Sequence, residues 1–240
     1  MNIDKLIFLV ILILTQVSCS KAQDHSDHPQ SVTLPVFVEK IEYLALGDSY
    51  TIGEGVPAND RWPVQLANQL NQSGVAINNP RIIARTGWTT DELMAEIERL
   101  QLADTFGLVS LLIGVNNQYR GRPATQFRKE LQWLINKAIS FAGGDTSRVF
   151  LVSIPDWGVT PFAAGRDRIR IAREIDEYNE VIRQEASARN LLFFDITPLS
   201  RQAETDHALL ATDKLHPSGA MYRLWVQMML PELLKMLKKP

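Results

Sequence analysis

The chain of 240 residues holds a single cysteine, Cys19, so no disulfide can form within it and its fold calls for no particular redox compartment. Neither sign of charge dominates: 25 lysines and arginines stand against 27 aspartates and glutamates, a formal net charge of −2. That balance gives no support to nucleic-acid binding, which favours a strongly basic face. No tandem period of solenoid type is visible. The uninterrupted apolar run Leu6–Leu14 falls short of the ~20 residues a helix needs to cross a bilayer. What is present is ordinary: 45% apolar and 22% charged residues, in a length sufficient for one domain with a sizeable core.

The amino terminus reads as an export signal. Lys5 precedes the short apolar run, and Thr15-Gln16-Val17-Ser18 separates it from Cys19. Cys19 stands where a bacterial lipoprotein's lipidated cysteine would, although such signals usually carry leucine where Gln16 stands. Residues 1–19 are therefore expected to be a lipoprotein-type signal, with membrane attachment only through an anchor at Cys19; a plain periplasmic or secreted protein is the alternative. Residues 20–38 are polar and aperiodic, a tether. Within it Asp24-His25-Ser26-Asp27-His28 offers metal-ligand types, but an exposed tract cannot preorganise a closed coordination shell. No metal and no cofactor is expected.

From residue 39 onward, apolar runs alternate with helical periodicity. Strands are expected at Ile41–Leu46, Asn78–Ala84, Leu108–Ile113, Arg148–Ile154 and Leu191–Ile196. Helices are expected at Arg61–Gln72, from Thr89 or Thr90 through Leu100, and at Ala124–Phe141, Ile169–Ala188 and Ser218–Leu237. Five short apolar strands alternating with helices imply an α/β domain: a parallel sheet covered on both faces, a three-layer α/β/α sandwich.

The first strand is cut off by Gly47-Asp48-Ser49-Tyr50-Thr51-Ile52-Gly53, which puts Ser49 just past the carboxyl end of a buried strand. Open α/β sheets hold their ligands at that edge. This string resembles the first block of the SGNH hydrolases, the GDSL esterase/lipase superfamily. It does not fit the Gly-x-Ser-x-Gly nucleophile elbow, because Thr51 stands where the second glycine should be. Three more blocks match in order: Gly87 after strand two, Gly114-Val115-Asn116 after strand three, and Asp213-Lys214-Leu215-His216 after strand five. The resemblance implies a flavodoxin-like strand order, 2-1-3-4-5, with Ser49 as nucleophile, His216 as base and Asp213 as its orienting carboxylate. It further implies an oxyanion hole made of the Ser49 amide, the Gly87 amide and the Asn116 side chain.

Residue chemistry agrees with those roles. Of the four histidines, His25 and His28 lie in the tether, and His207 sits beside a packing segment, which leaves His216 as the candidate base. Asp48 is read as tying down the turn. Asn117 departs from the family, which usually has aspartate there; a local change of hydrogen bonding is expected. Trp88 and Trp157, each just past a strand, are candidate pocket walls, and Trp62 is a core residue. The expected activity is hydrolysis of carboxylic esters, with acetyl esters of glycans as one substrate class. A lysophospholipase or thioesterase acting on lipid acyl groups is the alternative, and a non-catalytic glycan-binding relative the rival from another class.

Overall fold

The computed structural model describes residues 39–238. The signal, Cys19, the tether and its Asp24–His28 tract lie outside the described residues. Five strands, β1 (Tyr43–Asp48), β2 (Arg81–Arg85), β3 (Leu108–Leu112), β4 (Val149–Val152) and β5 (Leu192–Phe194), form one parallel sheet in the order β2-β1-β3-β4-β5. The three inner strands are buried along their whole length, as strands covered on both faces must be, and β3 and β4 are accordingly almost entirely apolar. The edge strands β2 and β5 are only partly covered.

Among the described residues, eight α-helices connect and cover the sheet: α1 (Ser49–Ile52), α2 (Trp62–Gln72), α3 (Thr90–Leu100), α4 (Val115–Tyr119), α5 (Ala124–Phe141), α6 (Arg168–Ser187), α7 (Thr197–Ser200) and α8 (Gly219–Leu237). The helices α2 and α8 pack together; α5 packs against α3 on one side and α6 on the other. The expected three-layer sandwich and strand order are therefore both present. Trp62, fully buried on α2, meets Phe150 of β4 edge-on, so it is the core residue its spacing indicated.

Boundaries moved for identifiable reasons. β1 runs two residues past its apolar stretch, because Gly47 and Asp48 still pair with Ala84 and Arg85 of β2. β2 starts only after Pro80, which has no amide to give a ladder. β4 and β5 end early because the Ser153 hydroxyl takes over, accepting from the amides of Ile196 and Thr197 at 2.8 and 3.2 Å. The helices α1, α4 and α7 have four or five residues each, too short for a periodic signal, and none of them was anticipated.

Candidate active site

Strand order reverses at β1 and β3, and the chain leaves these neighbours toward different helical layers. A crevice opens at their carboxyl ends, the place where such sheets bind ligands. Ser49 is the first residue of α1, directly after β1, and is almost completely buried. Asp48 caps this helix: its Oδ1 accepts the Tyr50 amide at 3.0 Å. That leaves the Ser49 amide among the first-turn donors that have no intrahelical acceptor. The tight entry into α1 depends on Gly47, where an added Cβ would lie 2.2 Å from the Thr51 hydroxyl and 2.4 Å from the Leu112 carbonyl oxygen.

Asp48 does more than cap. It is fully buried, and its second oxygen lies 3.5 Å from Nδ2 of Asn116. Burial pushes its carboxyl up to about 7, against the hydrogen bonds from Tyr50 and Asn116, which pull it down. Asn116, on the first turn of α4, also donates to the Trp88 carbonyl at 3.0 Å, which ties β3's exit to β2's exit.

Gly87 sits in the turn that follows β2 with φ +84, a left-handed conformation that glycine adopts without strain. The Trp88 amide closes this turn onto the Arg85 carbonyl at 3.2 Å, and the Arg120 guanidinium donates to the Gly87 carbonyl at 2.7 Å. Just beyond, Glu92 reaches back to the Thr89 amide at 2.8 Å, so the turn runs directly into a capped α3. The departure at Asn117 has a local explanation. Its side chain accepts from the Thr90 amide at 3.0 Å and donates to the Thr90 hydroxyl at 2.6 Å, with the Glu130 carboxylate 3.5 Å from its Nδ2. Glu130 already supplies a carboxylate to this buried cluster, so an amide is the chemistry that fits beside it.

Asp213 and His216 belong to one tight turn. The Nδ1 of His216 lies 2.6 Å from Oδ2 of Asp213, while Oδ1 accepts the amides of Leu215 and His216 at 2.9 and 3.0 Å. Desolvation pulls the Asp213 carboxyl upward, but the hydrogen bonds from the His216 ring and these amides outweigh it and hold the group below its ordinary value. Lys214 takes φ +59 to let the turn close, a conformation that costs a non-glycine residue about 1–3 kcal/mol. The Ala211 amide bonding to the His216 carbonyl at 2.7 Å and the Ser218 amide to Leu209 at 2.8 Å clamp the turn from outside. The imidazole packs on Tyr50 with ring centroids 5.0 Å apart.

Ser49, Gly87, Asn116, Trp157 and His216 line a single cleft of about 190 Å³. Asp213 stands behind it, bonded to His216. Trp88 does not line the cleft: its side chain packs against the core and only its carbonyl serves the site, through Asn116. His207 is exposed on a separate turn and stands away from the cleft lining. Among the described residues, no hydrogen bond joins the Ser49 hydroxyl to the His216 ring, and no group of three or more His, Cys, Asp or Glu side chains is placed to hold a metal ion.

The structure adds walls that strand-end logic missed: Tyr50, Thr86, Val115, Tyr119, Phe162 and Leu215. Tyr119, Trp157 and Phe162 form one aromatic cluster, with centroids 5.2 to 6.2 Å apart, and the Trp157 indole N–H donates to Gln118 at 2.7 Å. Tyr119 lies on the unanticipated α4 and Phe162 in a 3₁₀ turn, Pro161–Ala163; the only signal for either was an aromatic residue downstream of a strand exit.

The fold is an SGNH-type three-layer sandwich, and the family match over most of the chain defines the class as a carboxylic ester hydrolase. The chain belongs to the GDSL-like lipase/acylhydrolase family, whose model matches residues 45–224, three quarters of its length. No curated protein sequence is a significant match. Solved structures share the fold at low identity. TesA is 20% identical with a TM-score of 0.62, over 81% of this chain and 99% of TesA. The psychrotrophic esterase EstA from Pseudoalteromonas sp. is 18% identical with a TM-score of 0.60, over 83% of this chain and 100% of EstA. Axe2, an acetylxylan esterase from Geobacillus stearothermophilus, is 20% identical with a TM-score of 0.61, over 83% of this chain and 95% of Axe2.

Proposed function

We propose that this hydrolase cleaves short-chain carboxylic esters by nucleophilic catalysis from Ser49. The observation that carries the reading is convergence: groups from the exits of β1, β2 and β3 and from the loop after β5 line one cleft, with an imidazole–carboxylate pair already at 2.6 Å. His216 takes the Ser49 proton on Nε2 as Oγ attacks the ester carbonyl, and approach of the substrate draws these two groups together. Asp213 fixes the tautomer through Nδ1 and stabilises the imidazolium. The amides of Ser49 and Gly87 and the Nδ2 of Asn116 hold the tetrahedral oxyanion. The alcohol departs with the proton from His216; water, activated by the same ring, then releases the acid.

Size supports a small acyl group, since 190 Å³ lies below the roughly 300–1,000 Å³ of pockets that enclose drug-sized ligands. The acetylxylan esterase among the structures of the same fold is in keeping with acetyl esters, including those on glycans. Export, with an anchor at Cys19, is part of the same proposal and rests on the leader sequence.

The test is turnover of 4-nitrophenyl acetate against the octanoate, together with fluorophosphonate labelling, in the wild type and Ser49→Ala. Acetate should be preferred, label should attach to folded wild type only, and the substitution should cut turnover on the order of 10⁶-fold, as in comparable triads. Retained activity or labelling in Ser49→Ala would end the proposal.

A further inference from the structure

The aromatic cluster beside the cleft carries a cation that the proposed chemistry does not use. The Arg166 guanidinium carbon lies 5.0 Å from the Tyr119 ring centroid, 5.3 Å from that of Trp157 and 5.7 Å from that of Phe162. All three rings line the cleft that Ser49 and His216 share. One guanidinium nitrogen of Arg166 also donates to the Tyr119 hydroxyl at 3.0 Å. Side chains at the surface usually pay entropy for each contact; this one is already held by three rings and a hydrogen bond.

Its charge, however, meets no carboxylate among the described residues. The neighbouring arginines are matched to carboxylates: Arg168 to Glu204, Arg170 to Glu174, Arg201 to Asp156 and Asp176, Arg120 to Glu92 and Arg122 to Asp91. Among the described residues Arg166 has no such partner within salt-bridge distance. Aromatic rings engage the face of a guanidinium and leave its edge of N–H donors open, and that edge fits the two oxygens of a carboxylate or phosphate.

We infer that Arg166 is a specificity-determining residue that reads an oxyanion on the substrate, so that the preferred ester carries a carboxylate or phosphate on the part of the molecule that lies along Tyr119, Trp157 and Phe162. This rests on the ester hydrolysis proposed above and names the substrate's charge class. An acidic sugar would present the carboxylate and a lipid headgroup the phosphate; the shared chemistry is a resonance-stabilised oxyanion facing a preorganised fork.

The experiment compares kcat/KM for phenyl acetate, 4-acetoxybenzoate and 4-acetoxyphenyl phosphate in the wild type, Arg166→Gln and Arg166→Lys. The wild type should favour an anionic ester over the neutral one on the order of 10-fold, less at high salt, because a charge-assisted bond near the surface is screened. In Arg166→Gln the ratio should fall to about one, and in Arg166→Lys a part of it should remain, since the charge persists without the fork. A greater preference for the phosphate points to a headgroup, and for the benzoate to an acidic sugar. Binding of 4-hydroxybenzoate to the Ser49→Ala protein, measured by calorimetry with and without Arg166→Gln, gives a readout that needs no turnover. Loss of that binding with Arg166 supports the inference even if phenyl acetate is not hydrolysed, an outcome that would sink the esterase reading alone. Hydrolysis of phenyl acetate with no charge preference, or a preference that survives Arg166→Gln, overturns the inference and leaves that reading standing.

Discussion

Asp48→Asn separates the cost of a buried carboxylate from everything else in the site. In the folded protein burial pushes the Asp48 carboxyl up to about 7, whereas its ordinary value is 3.8. The fold therefore prefers the neutral form. The stability this group contributes is fully present below its unfolded value and is lost as pH rises through about 7. A gap of about three pH units at ~1.4 kcal/mol each corresponds to about 4 kcal/mol lost between pH 4 and pH 8, a large share of a domain stability of about 5–15 kcal/mol. Asparagine has nearly the same shape, keeps an acceptor for the Tyr50 amide and does not titrate. It does place an amide facing Asn116, which sets a fixed offset independent of pH. Urea unfolding of both proteins in half-unit steps from pH 4 to pH 8 reads the difference directly. The variant should gain on the wild type steadily as pH rises, by about 4 kcal/mol in total, with unchanged m-values. Parallel stability curves across that window would refute the reasoning, because they would mean the buried carboxyl is ionised at no extra cost.

Gly47→Ala should destabilise the domain by about 1–3 kcal/mol or more, since the new Cβ would meet a backbone carbonyl at 2.4 Å that cannot move without the sheet; an unchanged thermal midpoint would contradict this. Asn117→Asp should cost about 1–3 kcal/mol, because it replaces a donor with an acceptor beside Glu130. Adding Glu130→Gln should recover much of that loss in a double-mutant cycle, and simple additivity would show that the two side chains do not communicate.

The sheet could be read from composition because its inner strands are buried on both faces, and burial on both faces writes long apolar runs into the sequence. The residues that the sequence motifs single out could be read for a related reason. Ser49, Gly87, Asn116, Asp213 and His216 all follow strands, and a parallel sheet gathers such positions at one edge. Tyr119 and Phe162 could not be read in this way. Their side chains reach the cleft because of a one-turn helix and a loop of 3₁₀ turns, neither of which imposes a period on the residues that form it. Trp88 shows the converse. It sits at the right edge in sequence, yet the turn at Gly87 sends its ring to the core and its carbonyl to Asn116, a choice made by backbone torsion rather than residue type.

The same torsions tie the candidate oxyanion donors to one another. Asn116 holds the Trp88 carbonyl and approaches Asp48, Asp48 fixes the first turn at Ser49, and Asn117 fixes Thr90 just beyond the glycine turn. Each donor is thus positioned by a residue that belongs to, or directly neighbours, the loop of another. A site joined in this way does not lose its parts one at a time, because a change at any loop is felt by the other two through buried hydrogen bonds whose unmet partners each cost about 1–3 kcal/mol. The Asp213–His216 turn joins this network differently: its hydrogen bonds run within its own loop and to Leu209 and Ala211, and it touches the network through the His216 ring packed on Tyr50. The candidate base therefore meets the candidate oxyanion donors through a packing contact, the His216 ring on Tyr50, rather than through a hydrogen bond, and both face the same cleft.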